Sequence, residues 1–303
     1  MSAKNIYSSI HSFIKFTIVF SFLGQSFLND HQLNAQSSDF GFGNWYSGSK
    51  NFIEVTYGIG DLNHKDFKAK FNSLSMSEIK LGRRFSKPAA GFKIIEFNDN
   101  YLFSSYINHF EEGNNSDNLK IDFDIWRFGF GYKKGYGYNL NGFAILPYYH
   151  SGLVWNRSKF THPSEFIREF VPTDYSNDLN VLSKYNDVIK FGTNNIAGID
   201  FKLSNLIGIG ASYETSVLFP YHKFWKQTGS FFIETLAQTG LDFLTEGVII
   251  KEIPGVAPIL YFVLKNGLSY YFYTLKQDKM NWPFSAAKPI TLEAIKFSLK
   301  VTF

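Results

Sequence analysis

Cysteine is absent from all 303 residues. That removes disulfide frameworks, thiolate metal sites and a thiol nucleophile together, so an exported domain of this sequence must hold itself by burial and hydrogen bonding. Charge is sparse, at 18% of residues, and the formal net charge of +4 is too mild to imply an anionic partner. No basic cluster marks a nucleic-acid binder. Long apolar runs are missing as well. The nearest, residues 256–275, is broken by Pro258, Lys265, Asn266 and Gly267, whereas a membrane-spanning helix needs ~20 apolar residues. Aromatics, by contrast, are abundant: they make up 19% of the chain and include 34 Phe and 18 Tyr.

The first residues carry an export pattern. Lys4 and Lys15 precede a compact apolar run at 16–24, a polar stretch with Asp30 follows, and Leu33-Asn34-Ala35 offers a small-residue cleavage site. A basic region, a short apolar core and such a site are the parts of a secretory signal peptide, and the run is too short for an anchor. Residues 1–35 are therefore expected to be removed after Ala35, leaving about 268 residues (303 minus 35), enough for one sizeable domain. Loss of Lys4, Lys15 and Asp30 takes the net charge from +4 to +3. Residues 36–50 are expected to be a periplasmic segment ahead of the first strand.

Within residues 290–303 the chain alternates from Thr291 onward. Ile295, Phe297, Leu299, Val301 and Phe303 fall on one side, and Lys296, Ser298, Lys300 and Thr302 on the other. Period two means a strand with one apolar and one polar face. A strand of this length ending on an aromatic resembles the closing strand of bacterial outer-membrane β-barrels. The resemblance implies a location in the outer membrane of a Gram-negative bacterium, with outer-membrane lipids as neighbours. It also implies that Phe303 is part of the signal read by the barrel-assembly machinery, through the C-terminal strand. Aromatic girdles at both membrane interfaces would account for the composition.

Other segments fit a spanning strand of ~9–11 residues, apolar outward and polar inward. Ile53, Val55, Tyr57 and Ile59 oppose Glu54, Thr56 and Gly58. At 77–85, Ile79, Leu81 and Phe85 oppose Glu78, Lys80, Gly82 and Arg84, with Arg83 on the apolar side at a membrane edge. A third strand is expected at about 101–110. The fourth, 119–132, sets Asp122 and Asp124 against Ile121, Phe123 and Ile125 and ends in a periplasmic turn at Lys133-Lys134-Gly135. The fifth climbs from Tyr136 through Ile145 and either continues through Pro147 or breaks there. The sixth holds Gly198, Asp200 and Lys202 on its polar face. A tight Ser204-Asn205 turn leads to the seventh, where Glu214 and Ser216 oppose Thr215 and Val217. With 290–303 the strands number eight, an even count that puts both chain ends in the periplasm.

The expected fold is thus an all-β transmembrane antiparallel barrel, with strands one to seven within 51–220, a long external loop at 157–187 and a helical turn near 164–170. The inward faces bring together Glu54, Glu78, Lys80, Arg84, Asp122, Asp124, Asp200, Lys202, Glu214, Lys296 and Lys300. An eight-stranded barrel is just wide enough for side chains to fill. Mixed signs allow pairing where an unpaired buried charge would be costly, so the expected lumen is packed and charge-paired.

Residues 221–289 exceed an ordinary barrel connection. Glu234, Gln238, Asp242 and Glu246 recur every fourth position among apolar residues, which is helix periodicity, and Pro254-Gly255 ends it. Beyond lie two apolar stretches, 259–264 and 268–275, flanking Asn266-Gly267. A second helix is the favoured reading because both faces of a strand here would be apolar. A hairpin, for which Asn-Gly is a strong signal, would make ten strands. The insertion could plug the barrel, lie across its mouth or sit on the membrane surface.

Catalytic chemistry is hard to find. His150-Ser151 is the sole adjacent His/Ser pair on an expected strand, and such neighbours face opposite ways, which weakens a lipid-modifying reading. His150 is expected at an interface among Tyr148, Tyr149 and Trp155. No G-x-S-x-G elbow is present. His109-Phe110-Glu111-Glu112 is not a zinc motif, and Asp122 with Asp124 is better read as charge-paired than as metal-binding. Gly129-x-Gly131 and Gly208-x-Gly210 lack the context of a dinucleotide fingerprint. No cofactor or metal is expected. The functional readings are an envelope structural or binding barrel, a lipid-modifying enzyme, or an accessory subunit of a secretion or uptake complex, with the ligand unknown.

Overall fold

The computed structural model describes residues 48–90, 93–110, 120–140, 142–161 and 176–303. The export signal, nearly all of the 36–50 segment and the helical turn expected at 164–170 lie outside the described residues. Alternating side chains organise nine strands: β1 (Gly48–Asn63), the two-residue β2 (Lys70–Phe71), β3 (Ser73–Ala90), β4 (Ile94–Phe110), β5 (Lys120–Asn139), β6 (Ala144–Thr161), β7 (Ile189–Lys202), β8 (Ile207–Leu218) and β9 (Ile290–Thr302). All except β2 pair antiparallel with their neighbours, and β9 pairs with both β8 and β1, so eight strands close into a barrel. Closure leaves no edge strand in lipid. The connections at 90–94, 139–144 and 202–207 are short and share one end, the periplasmic one by the usual asymmetry of such barrels.

Several strands are far longer than a bilayer requires: β5 has 20 residues and β3 and β6 have 18 each. Their extracellular ends stand in water, and there the alternation inverts. In the membrane belt the outward positions are apolar, as at Val55, Leu102, Phe128 and Phe297, and the inward ones are polar. Above it, the inward positions Leu74, Ile107, Ile121, Phe123, Ile125 and Leu292 form one apolar cluster. Asp122 and Asp124 consequently lie on the outer face of β5, not in the lumen. Asp122 accepts from Asn72 Nδ2 (2.6 Å) and Asp124 from the Tyr106 hydroxyl (2.8 Å). The alternation slips by one residue at Ile125-Trp126, where the solvent outside changes from water to lipid.

The same strand corrects a second expectation. Lys133-Lys134-Gly135 is not a turn: β5 runs on to Asn139, with Lys133 buried in the lumen. Tyr136 therefore belongs to β5, and β6 starts at Ala144. Pro147 does not break β6. It pairs with Ile199 on the β7 side, while the ladder to β5 skips residues 146 and 147, where no proline N–H could donate. The third spanning strand, β4, begins seven residues ahead of its expected start, at Ile94.

After β8 the chain forms α2 (Phe224–Leu244), a π-helical segment at Thr245–Ile249, a turn of helix at Ile250–Glu252, and α3 (Ala257–Asp278). A shorter α1 (Ser176–Leu182) precedes β7. Asn266-Gly267 sits inside α3, so the strand hairpin and the ten-stranded barrel do not form. Asn266 Nδ2 donates to the Phe262 carbonyl one turn back and to the Tyr148 carbonyl of β6. The insertion neither plugs the barrel nor crosses its mouth. It lies along the outer wall: Tyr261 meets the outward Tyr136 of β5 edge to face at 4.9 Å, and Tyr273 packs with the outward Val217 of β8.

Candidate functional site

The lumen is where the inward polar residues converge. Arg127 of β5, Glu214 of β8, Glu78 of β3 and Lys296 of β9 form a ring. Arg127 Nη1 lies 2.7 Å from Glu214 and its Nη2 3.4 Å from Glu78, while Lys296 Nζ lies 2.6 Å from Glu214 and 3.1 Å from Glu78. Lys80 joins Glu78 (3.3 Å) to Glu54 (2.6 Å), and Glu54 also meets Lys300 (2.8 Å). Toward the periplasm, Asp99 holds Arg84 (2.6 Å) and Lys300 (3.0 Å). Asp200 lies 3.0 to 3.1 Å from Arg84, Lys133 and Lys300. Each carboxylate thus answers at least two cations. Pairing of this density is what permits charges at such depth, since an isolated ion there would be strongly desolvated.

Aromatic rings fill the space between charges. Lys133 Nζ sits 3.9 Å from the Tyr148 ring centre, Lys300 Nζ 4.5 Å from Phe52, and the Arg84 guanidinium 4.9 Å from Phe97. Inward glycines on β5 make room for them. A Cβ at Gly131 would stand 2.2 Å from His150 Cε1 and 2.9 Å from Tyr101. The glycines therefore serve packing, with no nucleotide geometry around them.

The extracellular mouth is closed by apolar residues. Phe67 and Phe71 from the β1–β3 connection stack at 5.6 Å, and Phe71 packs on Phe123 and Phe160. Leu182 of α1 and the neighbouring Tyr185 complete the cluster. Asp178 of α1 accepts the N–H groups of Lys68 and Ala69 at 2.9 and 3.0 Å, which ties α1 to that connection. At the periplasmic end a cavity of about 40 Å³ remains beside Lys50, Arg84, Asp200 and Lys202. That is room for about one water.

Of the residues singled out from sequence, Glu54, Glu78, Lys80, Arg84, Asp200, Glu214, Lys296 and Lys300 meet in this lattice, and Lys202 lines the periplasmic cavity. Asp122 and Asp124 do not. Arg127, Lys133 and Asp99 complete the lattice and were hidden. The first two follow from carrying the β5 alternation down from Trp126, and Asp99 from starting β4 earlier. His150 points into the lumen rather than to an interface: its ring stacks on Tyr101, and Nδ1 lies 2.8 Å from the Tyr101 hydroxyl. Ser151 faces outward, so the fold does not bring this pair together. Phe303 extends β9, exchanging backbone hydrogen bonds with Asn51 of β1. Among the described residues no His, Asp and Glu group has metal-ligand geometry.

No family model matches the chain, and no curated protein does. Solved structures that overlay on it include Neisserial surface protein A, with TM-score 0.41, 8% identity and coverage of 85% of this chain and 100% of that one. Another is Ail, the attachment invasion locus protein of Yersinia pestis, at TM-score 0.30 and 10% identity, covering 85% and 99%. Ail in complex with the heparin analogue sucrose octasulfate overlays at TM-score 0.34 and 12% identity, covering 84% and 99%. Strand number, closure and the outward apolar belt make the chain a small β-barrel of the outer-membrane type, with a helical hairpin before its last strand.

Proposed function

We propose that the chain is a non-enzymatic integral protein of the outer membrane that serves the envelope through its surfaces and not through its lumen, as a structural or surface-binding element. One observation carries this reading: charge pairs occupy the lumen from Arg127 to Asp200, and apolar side chains close the extracellular mouth above them. A solute path would need to break several buried ion pairs at once. Export through a signal at 1–35 and insertion by the barrel-assembly machinery through β9 belong to the same reading. The orientation of His150 and Ser151 leaves the lipid-modifying alternative without its pair.

The test is solute entry in cells. Expression in an outer membrane depleted of general porins leaves the influx of a small hydrophilic β-lactam unchanged against an empty-vector strain. An influx that rises in proportion to the folded protein overturns the reading.

A further inference from the structure

We propose that the α2–α3 hairpin is an intramembrane element whose outer face is covered by lipid acyl chains, while a polar seam joins the two helices on their inner side and Glu246, Asn266 and Tyr273 tie them to the barrel wall. This goes beyond the sealed-barrel reading and stands whether or not the lumen conducts. The first argument is reach. The chain leaves the extracellular end of β8 at Leu218, and α2, at 21 residues and 1.5 Å per residue, runs about 31 Å. Glu246 then meets Lys134 low on β5, and the Tyr138 hydroxyl donates to the Gly255 carbonyl beside the periplasmic turn. α3, with 22 residues, returns about 33 Å to where the Tyr273 hydroxyl donates to Glu293 of β9. The hairpin therefore passes the full depth that the barrel spans.

The second argument is polarity. A helix on a water-soluble protein buries its apolar stripe and exposes its polar one. On α2 the order is reversed: its buried residues are Ser230, Glu234 and Gln238, and on α3 Lys265, Ser269 and Lys276 are buried alongside Tyr261, Phe272 and Tyr273. The exposed side chains of α2 are apolar, among them Phe232, Leu236 and Phe243, and so are most of those of α3, as at Ile259, Val263 and Tyr271. An apolar solvent makes that arrangement favourable, and this face continues the belt formed by outward strand residues such as Phe128. Polar groups facing inward must then find internal partners. Most do: Lys276 pairs with Glu234, Lys265 with Asp242 at 3.0 Å, and Lys134 with Glu246 at 2.7 Å, while Gln238 donates to Ser269 at 2.8 Å; Gln238 Oε1 and Gln227 Nε2 stand without a partner among the described residues.

The seam also explains why neither helix is apolar enough to cross a membrane alone. Its polar face needs the second helix and the barrel wall, so the two helices take their places together with β5–β8.

The absence of native cysteine makes each introduced thiol unique. Full-chain Phe232→Cys, Leu236→Cys and Val263→Cys variants would be labelled with a fluorescent maleimide and folded into phosphatidylcholine vesicles containing doxyl-labelled lipid. Val55→Cys on the bare barrel belt and Asp124→Cys above it serve as references, and folding is verified by the heat-dependent gel shift. The expected result is quenching at 232, 236 and 263 equal to that at 55. In unlabelled folded protein, reaction with a water-soluble maleimide is at least tenfold slower than at 124. Reaction at the rate of position 124 without quenching, at any of the three that folds, overturns the proposal. So does exclusion from both lipid and water with disulfide-linked dimers, which would make a second copy the occupant.

Discussion

Glu214 shows what a single lumen residue carries. It accepts from Arg127, Lys296 and Ser216 and is fully buried. Glu214→Gln keeps the shape and removes the charge, leaving Arg127 and Lys296 to share Glu78. Breaking a buried pair from one side costs about 3–5 kcal/mol. Urea unfolding from lipid vesicles, followed by tryptophan fluorescence, should show a loss of that size. Asp124→Asn, on the watered outer face, should cost less than about 1 kcal/mol. Equal losses at the two sites would contradict the assignment of faces. His64, in the extracellular connection, offers a pH readout. Burial holds its imidazole below the usual histidine range, against the raising effect of its contact with the Lys288 carbonyl. The unfolded chain, titrating at ~6.5, then takes up the proton first as pH falls. Packing of this connection is accordingly most stable above pH ~6.5 and weakens below it. An NMR titration of His64 should have a midpoint below ~6.5; a midpoint above that value would mean the ring is charged and paired instead.

Individual elements show why some of this arrangement was legible in the sequence and some was not. β1 and β9 cross the bilayer with their apolar faces toward lipid over most of their length, so simple alternation placed Glu54, Lys296 and Lys300 on the lumen side. β5 misleads because its first third stands above the membrane. Read from Ile121, its phase is inverted; read from Trp126, it is correct and delivers Arg127 and Lys133. The only mark of where the bilayer begins on β5 is a slip of phase at the adjacent apolar pair Ile125-Trp126. The helices hid a similar ambiguity. Glu234, Gln238, Asp242 and Glu246 identified a helix, but which of its faces is buried depends on whether water or lipid lies outside. Asn266-Gly267 carried a hairpin signal that tertiary packing overrode. β5 also provides a test at this scale. Gly131→Val would press its side chain on His150, and overpacking of this kind costs about 1–3 kcal/mol. Adding His150→Ala should recover part of that loss in the same unfolding assay. A purely additive double variant would show that the two positions do not share the space assigned to them.

The molecule as a whole is a barrel whose interior resembles a protein core more than a pore. Charges pair across strands that are distant in sequence, as Arg127 with Glu214 and Lys300 with Asp99. The lattice can therefore form only when the barrel is closed, and its formation couples seven of the eight strands, with β6 joining through the Tyr148 ring against Lys133. The outer wall is divided between strands that face lipid directly and strands covered by the hairpin. Function on this account resides on those surfaces and on the extracellular ends, where Asp122, Asp124 and the α1 cap meet water. The central claim is that the lumen is sealed, and current through single molecules tests it most directly. Purified protein inserted into planar bilayers at molar salt should give no stable conductance steps above the protein-free baseline. Reproducible steps of uniform size from heat-modifiable, folded protein would contradict the account.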